Sequence, residues 1–216
     1  MAIPVPWSAS GASRLSRRAS VLGSLAIALC GCSFDLGSWS APDKESAPKP
    51  APVAAEVGEA QAATARGLTL ARSGKAEEAL TEFAHAIALD PHNAQALYHR
   101  ALIYQGESKH QLAVDDFTAA NGLTPQRAEP LLGRAISYLA LDKVKEAAAD
   151  LDEAVQADPQ NAQIWTNRGL AYERLGDKTK AVGSYARAIN IRPRDEAARN
   201  GFARVGGKPG QNYEAN

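Results

Sequence analysis

The chain has 216 residues, 45% hydrophobic but only 6% aromatic, with 24 bases, 24 acids and a mean hydropathy of −0.30. An alanine-rich, aromatic-poor chain suits closely packed helices better than a β-sandwich, and charge balance argues against a nucleic-acid partner, whose affinity rests on phosphate neutralisation. Both cysteines, Cys30 and Cys32, lie near the N-terminus, so the rest of the chain has neither a disulfide framework nor zinc-ligand spacing.

Residues 1–18 carry Arg14, Arg17 and Arg18 and no acid, and residues 19–29 form a mildly apolar run. A basic stretch followed by a short apolar run is the pattern of a secretory signal, and the run is too short for a transmembrane helix of about 20 residues. It ends in Leu29-Cys30-Gly31-Cys32, which resembles the lipobox of bacterial lipoproteins. The resemblance implies a signal peptide over 1–31 and a lipidated Cys32 as the new N-terminus. It further implies a lipid-anchored protein facing the periplasm, and Ser33 leans towards the outer membrane. Cys30 is the poorer site, because Leu29 would then stand where a small residue is expected. An ordinary cleaved signal is the plain alternative. Without residues 1–31 the chain keeps 21 bases and 24 acids, a net charge of −3.

Residues 32–55 hold Pro42, Pro48, Pro50 and Pro52 among alanines and charges, with no apolar periodicity. They read as a disordered linker. From residue 60 the chain repeats. Pro91, Pro125, Pro159 and Pro193 recur every 34 residues, as do Ala79, Ala113, Ala147 and Ala181, and Ala86, Ala120, Ala154 and Ala188. Between the alanines stand Phe83, Phe117, Leu151 and Tyr185. This period and pattern resemble the tetratricopeptide repeat, a helix–turn–helix unit. The implied fold is an all-α solenoid: units 60–93, 94–127, 128–161 and 162–195, then a capping helix over 195–205, all within a domain spanning 56–206. The tail 207–216 reads as disordered. Small residues let helices approach, larger ones fill the gaps, and the proline stops each second helix. Gly74, Gly106 and Gly176 fall in or near the turns inside units, where positive φ suits glycine.

In that family the first helix of each unit lines a concave binding face. The matching positions in this chain begin with Gln61, Thr64, Leu68 and Ala71, then Gln95, Tyr98, Leu102 and Gln105. They continue with Glu129, Leu132, Ile136 and Leu139, and end with Gln163, Thr166, Leu170 and Glu173. The middle of the series is apolar and its edges are amides and acids, as a groove for a helix or extended peptide requires. The alternative is that Leu68, Leu102, Ile136 and Leu170 are covered by neighbours. Some relatives grip a C-terminal carboxylate with Lys, Asn and Arg; the matching Thr64, Leu68, His99, Glu129 and Gly133 lack those groups. Arg66, Arg100, Arg134 and Arg168 form a column. It reads either as a cationic stripe or, the favoured reading, as partners for second-helix acids such as Glu82, Asp116 and Asp150.

There is no Gly-rich phosphate loop and no nucleophile elbow. His85, His92, His99 and His110 are not paired at metal-ligand spacing on one helix. The expectation is a non-catalytic scaffold without metal, cofactor or small-molecule substrate. It binds other envelope proteins through the groove and the membrane through its lipid, with pilus or secretion assembly as the closest architectural likeness. The alternative is an adaptor or regulator of peptidoglycan-modifying enzymes, or an envelope enzyme itself.

Overall fold

A computed structural model of the protein describes residues 52–211 and residue 213. The expected signal segment, Cys32 and the linker as far as residue 51 lie outside the described residues. The described chain is helical and without strands: α1 (Pro52–Arg72), α2 (Ala76–Leu89), α3 (Ala94–Gly106), α4 (His110–Leu123), α5 (Ala128–Ala140), α6 (Val144–Ala157), α7 (Ala162–Arg174), α8 (Lys178–Ile191) and α9 (Glu196–Arg204). Among the described residues no helix is long and apolar enough to cross a membrane.

Four helix starts are fixed by side chains that accept a hydrogen bond from an orphan backbone N–H. Asn93 caps α3, Asn161 caps α7, Asp177 caps α8 and Asp195 caps α9. Such caps contribute about 1 kcal/mol each. The helices pair in order, α1 on α2, α3 on α4, α5 on α6 and α7 on α8, and each pair packs on the next. The odd-numbered helices also touch in succession, α1 to α3, α3 to α5, α5 to α7 and α7 to α9. Among the described residues no two even-numbered helices meet. The odd helices therefore form one layer and the even helices the other, in four helix–turn–helix units with α9 closing the stack.

The repeated large residue of each second helix is the packing centre of its unit. Phe83, Phe117, Leu151 and Tyr185 are all but inaccessible, as are the flanking alanines Ala79, Ala113, Ala147 and Ala181. Glycine admits the rings: a Cβ on Gly67 would strike Phe83, one on Gly133 would strike Phe117, and the Tyr185 ring lies between Gly169 and Gly201. Where the next unit carries His99 instead of glycine, that imidazole stacks on Phe83 with centroids 6.1 Å apart.

Three boundaries differ from the sequence reading. Helix α1 begins at Pro52 rather than after residue 55, because proline lacks only an N–H that the first turn leaves unpaired anyway. Gly106 ends α3, and the left-handed turn residue is Ser108, with φ of 60°. Asp142, with φ of 59°, takes the same place in the next unit, where the outer units have Gly74 and Gly176 at 76° and 82°. The tail expected to lack structure turns back on α9. Tyr213 packs edge-on against Phe202 at 5.4 Å, and its hydroxyl accepts from the Lys208 N–H at 2.8 Å.

Candidate functional site

The expected concave residues lie on the odd-helix layer, yet the two ends of that layer are spent on holding the stack together. Thr64 is 2% exposed; its hydroxyl donates to the Ala60 carbonyl and accepts from Asn93 Nδ2 at 2.9 Å. At the other end the Thr166 hydroxyl lies 2.9 Å from the Ala162 carbonyl and 3.1 Å from Asp195 Oδ2. In both units a threonine of the first helix meets the residue that caps the next odd helix. Glu173 accepts from Arg204 Nε at 2.7 Å and from the Tyr185 hydroxyl at 2.6 Å. Gln105 Nε2 donates at 2.8 Å to both the Gly133 carbonyl and Ser137 Oγ, and Leu139 is in the core at 6% exposure. Thr64, Gln105, Leu139, Thr166 and Glu173 of the expected groove thus already serve contacts within the stack.

The middle of the layer is different. Leu102 of α3 is 37% exposed, and Ile136, its equivalent on α5, is partly buried. Leu68, Leu132 and Leu170 pack sideways against the core, as does Tyr98. Gln61, Gln95 and Gln163 are exposed and Ala71 is partly buried. Between the starts of α3 and α5 lies a hollow of ≈ 510 Å³ lined by Gln95, Tyr98, His99, Arg127, Glu129 and Pro130. Arg127 donates to Glu129 at 2.9 Å on its rim. Burial pushes the Tyr98 hydroxyl above its ordinary range. Burial, reinforced by Arg72, holds the His99 imidazole below its ordinary value, and the Arg127 guanidinium holds the Glu129 carboxyl low. The hollow thus presents a neutral imidazole and phenol beside a fixed ion pair and an exposed amide. It suits a segment with an apolar side chain whose backbone needs donors and acceptors. Among the described residues no cluster of His, Cys, Asp or Glu could hold a metal ion.

The arginine column pairs within the fold. Arg66 binds Glu82, Arg100 binds Asp116 and Arg134 binds Asp150, at 2.9, 2.7 and 2.7 Å. Arg168 has Ser184 where the others have an acid; it donates to Ser184 Oγ at 2.8 Å and reaches back to Asp152 of α6 at 2.7 Å. Its guanidinium also lies over the Trp165 and Tyr172 rings.

The structure assembles one feature that the sequence reading missed, since no run of bases marks it. Residues 162–213 carry ten bases and four acids, net +6, whereas residues 52–161 carry nine bases and sixteen acids, net −7. Counting charge unit by unit would have found it.

A tetratricopeptide-repeat family model matches residues 132–198, and a second, described as a TPR repeat, matches residues 67–107. Among curated proteins none matches this chain in sequence. Solved structures do match in fold. PilF of Pseudomonas aeruginosa aligns over 70% of this chain and 69% of its own at 20% identity and TM-score 0.62. MamA of Desulfovibrio magneticus RS-1 aligns over 65% of this chain and 80% of its own at 18% identity and TM-score 0.59. The first TPR of Spaghetti (RPAP3), solved bound to an HSP90 peptide, aligns over 52% of this chain and 89% of its own at 24% identity and TM-score 0.51. Repeat matches, helix pairing and fold likeness agree: over its described residues this chain is a tetratricopeptide-repeat α-solenoid.

Proposed function

We propose that the protein is a non-catalytic scaffold of the bacterial envelope, tethered through a lipid on Cys32, that binds a peptide or helix of another envelope protein across the middle of its concave face. The observation that carries this reading is the open stretch from Tyr98 through Leu102 to Ile136, flanked by two ends that Thr64–Asn93 and Thr166–Asp195 close. The exposed Leu102 and the half-buried Ile136, at equivalent places on two adjacent helices, offer apolar surface to a partner's apolar side chains. The likeness to PilF is in keeping with a place in pilus or secretion assembly, and the RPAP3 structure with a peptide ligand. The lipobox resemblance supports the anchor and the leaflet, with the outer membrane favoured. An adaptor role towards peptidoglycan-modifying enzymes is the second reading, and it uses the same face.

Crosslinking in intact cells, with partners identified by mass spectrometry, tests the site. The comparison strain carries Leu102→Glu and Ile136→Glu, with its folding checked by circular dichroism. Loss of a discrete partner set from the folded variant supports the concave face; an unchanged set sinks it. Palmitate labelling of the wild type and of Cys32→Ser tests the anchor, and label retained by the variant would refute it.

A further inference from the structure

Among the described residues α9 takes the place of a first helix, and no second helix follows it. In unit one, residues 66 and 67 of the first helix receive residues 82 and 83 of their own second helix, through the Arg66–Glu82 ion pair and the Gly67–Phe83 contact. Unit four does the same with Arg168–Ser184 and Gly169–Tyr185. The equivalent residues of α9 are Phe202 and Ala203, and among the described residues no second helix covers them. The described part of the tail lies there, with Gly207 and Tyr213 against Phe202. The result is a hollow of ≈ 800 Å³ between α8 and α9, with Ile189, Phe202 and Tyr213 as apolar lining and Asn190, Arg199 and Lys208 as polar lining.

The charge around it is one-sided. Arg199 and Lys208, which line it, are exposed and make no ion pair among the described residues, and neither do the exposed Arg192 and Arg194 of the turn between α8 and α9. Glu173 is taken by Arg204 and Asp195 caps α9, which leaves the exposed Glu196 as the one acid within α9. An apolar hollow at the end of a stack, shaped by its own repeat to receive a helix and bordered by unpaired bases, selects an amphipathic helix with an acidic polar face.

We infer that this C-terminal hollow is a second interaction surface, distinct from the proposed groove, that accepts an acidic amphipathic helix from a partner protein, laid against α9 as a second helix lies against a first. The incoming apolar face displaces Tyr213 from Phe202, and its acids meet Arg199 and Lys208. One of the solenoid's own second helices shows the chemistry in kind: α6 carries Glu146, Asp150, Asp152 and Glu153 against the single base Lys145, with Ala147, Leu151 and Ala154 as its buried face.

The probe is therefore a fluorescein-labelled synthetic peptide of the α6 sequence, Val144–Ala157. Its binding to the purified full chain is followed by fluorescence anisotropy, beside a peptide with its four acids changed to lysine. We expect the acidic peptide to bind and the lysine peptide not to. Binding should weaken at least ~10-fold in Arg199→Glu/Lys208→Glu, and also as salt rises from about 0.05 to 0.5 M. Arg72→Glu, at the other end of the stack, should leave it unchanged, as should Leu102→Glu/Ile136→Glu, which separates this site from the concave one. Equal binding by the Arg199→Glu/Lys208→Glu chain, or by the lysine peptide, overturns the proposal. So does a wild-type chain that ignores the peptide but sediments with phosphatidylglycerol vesicles, or one that pairs with itself through the same bases.

Discussion

Arg168 Nε lies 2.7 Å from Asp152 Oδ1, so unit four is tied to unit three by the same residue that, as Arg100 and Arg134, binds within its own unit. The exchange follows from two substitutions along the period. Ser184 stands where Asp116 and Asp150 stand, and Asp152 stands where unit two has Thr118. Arg134 already touches Thr118 at 3.1 Å, so the backward reach is present in unit three as well, and the position of the acid decides which bond dominates.

Asp152→Ala should therefore loosen the boundary between units three and four. It removes the acid from Arg168, itself 5% exposed, and from the Tyr172 hydroxyl, which donates to Asp152 at 2.6 Å. We expect a loss of about 2 kcal/mol, below the cost of breaking a fully buried pair because the acid is partly solvated. Adding Ser184→Asp should return part of it, by restoring the pairing of the other units. Urea unfolding of the single and double variants measures both.

The glycines divide into two kinds, and alanine tells them apart. A Cβ on Gly201 of α9 would run into the Tyr185 ring, whereas one on Gly58 of α1 meets nothing within 4 Å. Gly58→Ala should stabilise by about 0.5–1 kcal/mol through helix propensity. Gly201→Ala should destabilise by about 1–3 kcal/mol despite the same gain, because the ring must move. Equal effects in thermal melts would contradict the packing described.

Ser108 and Asp142 hold left-handed φ where the outer units use glycine. Ser108→Gly and Asp142→Gly should each raise stability by roughly 0.5–1 kcal/mol, since a Cβ is disfavoured in that region. A fall in melting temperature would show that their side chains contribute more than their backbone costs.

His99 sets a pH dependence. Its folded pKa is held below the ordinary 6.5, first by burial and then by Arg72. Below about pH 6.5 the unfolded chain takes up a proton that the folded chain resists. Stability is therefore full above that pH and declines as pH falls through about 6.5 towards the lowered value. In His99→Phe the ring stacking is kept and the titration is gone. Its stability should be flatter between about pH 7 and 5.

The repeat, its helices and most of its core were legible in the sequence, because period, small residues and proline stops are local and recur without exception. The expected binding face was legible only as the odd-helix layer. Periodicity assigns Thr64, Gln105 and Glu173 to it, but whether a polar group is free depends on a partner 29, 32 or 31 residues away on the next odd helix. That partner varies from unit to unit. Asn93 and Asp195 meet a threonine, while for the equivalents Arg127 and Asn161 the period puts Tyr98 and Leu132 in the threonine's place. The turn at Ser108 escaped for a related reason: glycine was the visible signal, and Gly106 lies two residues before the place that needs it. The basic end was invisible to a search for runs, since its bases come from α8, the turn after it, α9 and the tail.

The Tyr185 ring, held between Gly169 and Gly201 with its hydroxyl on Glu173 and that carboxylate on Arg204, is a latch, and the first unit has nothing like it. Phe83 lacks a hydroxyl, so no bond runs from that ring to an acid, and the acids that Arg66 binds, Glu59 and Glu82, are not tied to the ring. In a stack whose stability is a chain of neighbour terms, opening spreads from the weaker end. The order of fraying therefore runs from α1 towards α9, and amide protons of α1 and α2 should exchange ahead of those in α7 and α8.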